Sequence, residues 1–408
     1  MNARLTWATV AVLLSMALWN TLTGGYAKTA LVLVGVGAVV LPAIAYRDTS
    51  VVPPWGVSLA LTIAVGGYSF GPSALVVQAA TYFVLVALAA LIIVEVQVFT
   101  PVEMEARFAS GFVVFASMAA AGLWTVFRWL SDTYLGTSAI DTVDALMWDL
   151  ALTSVVGLIG AALSIRYFSG LENNPRGFSE GESSDSSYQP IHELVHPAEE
   201  FSSTSYLRQY VNLGALVGLS GTFERTLVRI LQAILAGLFV FTLFQENISL
   251  LINTGIALAV TIAPIELRRK YDVPLDSGLV LWITAAISIH VLGSLWLYGR
   301  GGWYDQLAHL LSATIVSGIG YAGLRAIEIS TPEIEIPQRY MAFFTVVLIL
   351  AFGVLWEVLE YTLGDLTVYG IDDTALDLLF DALGAGVVAV LDTPQLRRLA
   401  RDVAERFA

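Results

Sequence analysis

Cysteine is absent from the 408 residues, which excludes disulfides, thiolate metal sites and thiol nucleophiles. Charge is scarce as well. Only 13% of the residues are charged, where a soluble domain carries about 25%, so most side chains never meet water. Lysine is nearly missing: Lys28 and Lys270 are two of twenty basic residues, against 34 acids and a formal net charge of −14. That balance leaves no basic footprint for nucleic acid. An acidic, arginine-rich, lysine-poor remainder points to a salt-loving archaeal source. Walker loops, dinucleotide fingerprints, Gly-x-Ser-x-Gly elbows and His-Glu-x-x-His motifs are also missing.

What fills the chain instead is apolar sequence, 57% of all residues. Runs of about 18 or more apolar residues recur, the length needed to cross about 30 Å of hydrocarbon. They are continuous rather than alternating, which favours helices over a barrel. The runs predict spans at 4–22, 27–46, 55–71, 74–98, 108–131 and 145–168, then at 227–245, 248–267, 279–298, 304–327, 339–362 and 376–393. The first, Leu5 to Trp19 after Arg4, resembles a signal peptide but lacks a small-x-small cleavage site, and is read as a retained span. The fold class expected is all-α: a polytopic membrane protein of about twelve transmembrane helices.

Basic residues orient it. With the N-terminus inside, seventeen basic residues fall in inner segments and two, Lys28 and Arg300, in outer ones, with Arg128 inside a span. The positive-inside rule therefore places both termini in the cytoplasm and the chain in the cell membrane.

The second half repeats the first. Arg107, Trp124, Asp141, Thr142 and Asp149 recur as Arg339, Trp356, Asp373, Thr374 and Asp381, each 232 positions later. Thr100-Pro101 is echoed by Thr331-Pro332, and Pro42 and Arg47 by Pro264 and Arg269. Six spans per copy is an even number, so two parallel repeats are expected, 1–168 and 223–408, joined by a polar cytoplasmic linker at 169–222. Within it, 179–187 is Ser, Glu, Gly and Asp rich, and 205–219 suits a short surface helix.

Ionisable residues within spans mark function, and they cluster in the second half. Asp305 and His309 share a helix face at i, i+4 near the start of one span; Glu357 and Glu360 lie near the end of the next; Asp373, Asp377 and Asp381 recur every four residues into the last. All three groups fall at outer helix ends. Together they suit a hard divalent cation, Mg²⁺, Ca²⁺ or Mn²⁺, with Asp373, Asp377 and Asp381 as ligands and His309, Asp305, Glu357 and Glu360 as catalytic groups. The same set suits a proton relay, and the aspartates at the last helix start also suit simple capping. In the first half Thr125, Arg128 and Ala145 stand where Glu357, Glu360 and Asp377 stand, and the Asp-His pair has no counterpart. That half reads as a supporting pseudo-copy, with Arg128 a counter-charge for the acids of the other. His290 reads as a packing residue, and His192 and His196 as an incomplete metal pair. Gly35, Gly37, Gly318 and Gly320 read as close-packing positions between helices.

Tyr304-Asp305-Gln306-Leu307-Ala308-His309, Trp356-Glu357-Val358-Leu359-Glu360 and Asp373-Thr374 leading to Asp377 and Asp381 resemble the YjdF-like family of inner-membrane proteins, and more distantly the VanZ-like family. The likeness covers 280–395. It implies a membrane setting and, through the VanZ-like family, a link to glycopeptide tolerance at the cell envelope; neither family brings a settled reaction.

Three functions remain open: a cation-dependent enzyme on a lipid or polyprenyl-phosphate head group, a cation- or proton-coupled transporter, and a non-catalytic envelope accessory protein. Membrane lipid is the expected partner.

Overall fold

The computed structural model describes residues 2–173, 220–271, 277–297, 302–363 and 370–391. The linker features at 179–187 and 205–219, and His192 and His196, lie outside the described residues.

Twelve α-helices make up these residues: α1 (Asn2–Leu22), α2 (Tyr26–Tyr46), α3 (Trp55–Phe70), α4 (Ala74–Phe99), α5 (Ala106–Leu135), α6 (Val143–Asn173), α7 (Gly221–Thr242), α8 (Ile248–Tyr271), α9 (Ser277–Leu292), α10 (Gly302–Ser330), α11 (Gln338–Leu363) and α12 (Ile371–Leu391). A short π-helical segment, Gly293–Leu297, extends α9. Ten helices, with the π segment counted as part of α9, are long and apolar enough to cross a bilayer. Two of the twelve expected spans do not meet that standard. Helix α3 has 16 residues, and α12 carries Asp372, Asp373, Asp377 and Asp381.

The helix ends follow local chemistry. Ser73 and Ser220 accept from the amides of Val76 and Phe223 and so cap α4 and α7. Thr142 and Asn247 cap α6 and α8 in the same way. Helix α5 stops at Gly136, whose φ of +66° lets its amide turn back to the Ser131 carbonyl. Five polar residues inside the spans are satisfied by their own helix: Ser117, Thr153, Thr284, Ser288 and Thr345 each donate to the carbonyl four residues earlier. No water is needed to satisfy them, as a hydrocarbon setting requires.

The chain forms two compact units. The first contains α1–α6, completed by Glu333–Pro337 and by Leu350–Val358 of α11. In it α1 packs on α2 and α3, α3 on α4, and α4 and α5 on α6. Its one isolated β-bridge among the described residues joins Glu103 and Glu335 through paired amide–carbonyl bonds of 2.8 and 2.9 Å. Glycines allow close approach: at Gly160 an added Cβ would lie 2.4 Å from Val86 Cγ1, and at Gly157 3.2 Å from Ser117.

The second unit contains α7–α10, α12 and the rest of α11. Here α7 packs on α8 and α9, α9 on α10, and α10 most extensively on α12. Gly384 sets the last crossing. A Cβ there would lie 2.7 Å from Ala313 Cβ and 2.8 Å from the Leu310 carbonyl oxygen, so only a hydrogen fits and the two backbones nearly touch. Ala313, Ile349 and Ala385 fill the core beside it.

Candidate functional site

The α10–α12 crossing decides which acids meet. Ala313 lies one turn beyond His309 on α10, and Gly384 one turn beyond Asp381 on α12. Bringing those small residues together brings the preceding turns together. His309 therefore lies between two sets of carboxylates. Its Nε2 is 3.6 Å from Asp377 Oδ2 and 4.0 Å from Asp305 Oδ1, and its Nδ1 is 3.3 Å from Asp381 Oδ1. Asp305 and His309 are one turn apart on α10, as their spacing predicts.

The cluster is withdrawn from its surroundings. The Asp377 side chain is only 3% exposed, and its Oδ1 has no hydrogen-bond partner among the described residues. One donor atom each from Asp305, His309 and Asp377 can be chosen so that all lie within 4.8 Å of one another, a spacing a single metal ion can bridge. Asp373, in the first turn of α12, lies near Asp305 and adds a further carboxylate to the group. Carboxylates packed this closely around one imidazole cannot all ionise cheaply without a cation or shared protons.

Of the seven residues singled out from sequence, five meet here: Asp305, His309, Asp373, Asp377 and Asp381. Glu357 is buried on α11 and Glu360, nearly one turn on, is half-buried; Glu357 counts with the first unit. Asp372 and Asp373 both stand in the first turn of α12, where carboxylates favour the helix dipole.

Two features were missed. The π segment begins three residues after His290. The Tyr304 hydroxyl donates to the Ile289 carbonyl at 2.9 Å, which ties the start of α10 to this turn. An i→i+5 ladder leaves such carbonyls off the regular pattern. The sequence signal was Gly293-Ser294 inside an apolar run.

The first unit holds a different arrangement. Asp149 accepts from Tyr82 Oη at 2.7 Å, Gln78 Nε2 at 3.1 Å and Arg128 Nη1 at 3.1 Å. Arg128 thus pairs with an acid of its own half.

The second half of the chain matches a known family. Residues 227–398 match the model of a family described as "Predicted membrane protein (DUF2238)", and residues 1–52 match one described as a domain of unknown function, DUF8268. A Thermotoga maritima protein described as uncharacterized is 27% identical over 173 residues, 41% of this chain and 88% of the relative. No solved structure matches the chain. The DUF2238 segment includes His309 and every carboxylate around it, and excludes Arg128 and Asp149. The chain is similar to a membrane protein family across the part that carries the cluster.

Proposed function

We propose that this protein is a divalent-cation-dependent membrane enzyme acting on a phosphate-bearing lipid head group, polyprenyl phosphates included. One observation carries the reading: an imidazole held at Nδ1 by Asp381 while its Nε2 faces Asp305 and a buried, half-unpartnered Asp377. A carboxylate on the far nitrogen of a ligating histidine fixes its tautomer and orientation, and is a recurrent support of metal sites. Asp305, His309 and Asp377 would then hold the cation, Asp381 would orient the histidine, and Asp373 would add negative charge beside them. One nitrogen among oxygen donors favours Mn²⁺ over Mg²⁺ or Ca²⁺. The cation would offset phosphate charge, and Glu360, which counts with the same unit as the cluster, is the general acid–base candidate. A transporter coupled to a cation or to protons is the second reading, favoured by the depth at which Asp377 is buried. A non-catalytic accessory role is what remains if neither reading holds.

The wider setting belongs to the same proposal. The YjdF-like resemblance agrees with the DUF2238 match, and the VanZ-like one is a more remote extension. Two parallel repeats, 1–168 and 223–408 with a linker at 169–222, are supported by six helices in each, by packing that in each half joins the first helix to the second and third, the third to the fourth and the fourth to the sixth, and by Glu103 bridging Glu335, its own equivalent 232 positions on. The arginine distribution supports a cell-membrane protein with cytoplasmic termini, and the acidic composition an archaeal halophile.

The test is to incubate purified protein in nanodiscs with total polar lipid and Mn²⁺, and to follow every lipid species by mass spectrometry. Turnover of one head-group class that stops with chelator and in His309→Ala is the expected result. An unchanged lipid profile rules the enzyme out, and Asp377-dependent Mn²⁺ uptake into proteoliposomes would then favour transport.

A further inference from the structure

A second site lies in the first unit, where the start of α5 meets the end of α6. These antiparallel neighbours leave an open cleft of about 560 Å³ lined by Glu105, Arg107, Arg166, Ser169 and Gly170. Both arginines are exposed, and neither forms an ion pair among the described residues. Glu105, the residue before α5, does not cap the helix with its side chain, so the positive end of the α5 dipole faces the same space. Two guanidiniums and a helix N-terminus against one carboxylate leave the cleft net positive in a chain of net charge −14.

Depth narrows the ligand. Helices α5 and α6 have 30 and 31 residues, about 45 Å each at about 1.5 Å per residue, against about 30 Å of hydrocarbon. Their ends reach head-group level. The arginine pair also recurs in sequence: Arg107 and Arg166 reappear 232 positions later as Arg339 and Arg398, although most of the acidic set has no such counterpart.

We infer that this cleft binds the phosphate of an anionic lipid, with Arg107 and Arg166 gripping its oxygens. Forked guanidiniums match phosphate geometry better than ammonium groups do. Native mass spectrometry of protein extracted from nanodiscs of mixed phosphatidylglycerol and phosphatidylcholine tests the inference. Wild type should retain phosphatidylglycerol selectively, and R107Q/R166Q should lose it by about tenfold or more, as expected for loss of charge-assisted bidentate bonds. R107K/R166K, which keeps charge and lowers the folding risk, should fall between. Arg4→Gln, which removes one charge at the start of α1, should change nothing. Displacement of the lipid by inorganic phosphate would assign the site to phosphate whatever carries it; resistance would assign it to the lipid itself. Equal retention by wild type and R107Q/R166Q, or equal loss in Arg4→Gln, overturns the inference.

Discussion

Asp149 and Asp381, 232 positions apart in the sequence, live in opposite surroundings. Asp149 is answered by a guanidinium, a phenol and an amide, so its charge is neutralised within the protein. Asp381 is answered by an imidazole that already faces two more carboxylates. Both oxygens of Asp149 have donors, and the atom left without a partner there is a cationic nitrogen, Arg128 Nε; the second network carries surplus negative charge and an unpartnered buried carboxylate oxygen. A charge-balanced network stabilises, whereas one with surplus charge is where a ligand can be held. The difference comes down to few positions: arginine at 128 against glutamate at 360, alanine at 145 against aspartate at 377, and a histidine at 309 that has no counterpart.

The comparison can be broken first at the histidine. His309→Ala should abolish cation binding, a loss of two or more orders of magnitude in affinity by titration, while detergent-phase helicity stays unchanged. Asp149→Ala should leave cation affinity intact. The same pair reversed sharpens the contrast in stability. Arg128→Ala leaves Asp149 with its phenol and amide donors alone and should cost about 1–3 kcal/mol, read as a lowered thermal midpoint in detergent. Next come the supporting groups. Asp381→Asn removes the acceptor at Nδ1 and should weaken the cation by about 10–100-fold. Gly384→Val forces α10 and α12 apart and should cost about 1–3 kcal/mol together with part of the cation affinity. The smallest effect is expected from Ala145→Asp, which adds an acid to the first half but no imidazole, and should create no second site. Lowering pH should weaken cation binding throughout, because protons compete for the imidazole and the carboxylates.

Hydropathy made most helices legible and failed where the chain is polar but packed. Helix α4 was expected at 74–98 and runs Ala74–Phe99. Helix α7 was expected from 227 and begins at Gly221, because its first turn contains buried Glu224, satisfied by Ser277 at 2.5 Å, a contact across 53 residues that no local window contains. Helix α12 begins at Ile371 rather than 376 because its first turn is acidic. At the site, the shared face of Asp305 and His309 followed from helical period alone. Which nitrogen meets which carboxylate did not, since it depends on how Gly384 lets α12 cross α10. The pairing of Arg128 with Asp149 was equally out of reach, because helices α5 and α6 bring together residues from two turns whose facing is set by packing.

Manganese stoichiometry tests the central contrast most directly. Protein purified in mild detergent, equilibrated with Mn²⁺ and freed of loosely held ions, should carry one tightly bound ion per chain in the wild type and in Asp149→Ala, and none in His309→Ala. Two ions per chain, or one that survives His309→Ala, would contradict the account.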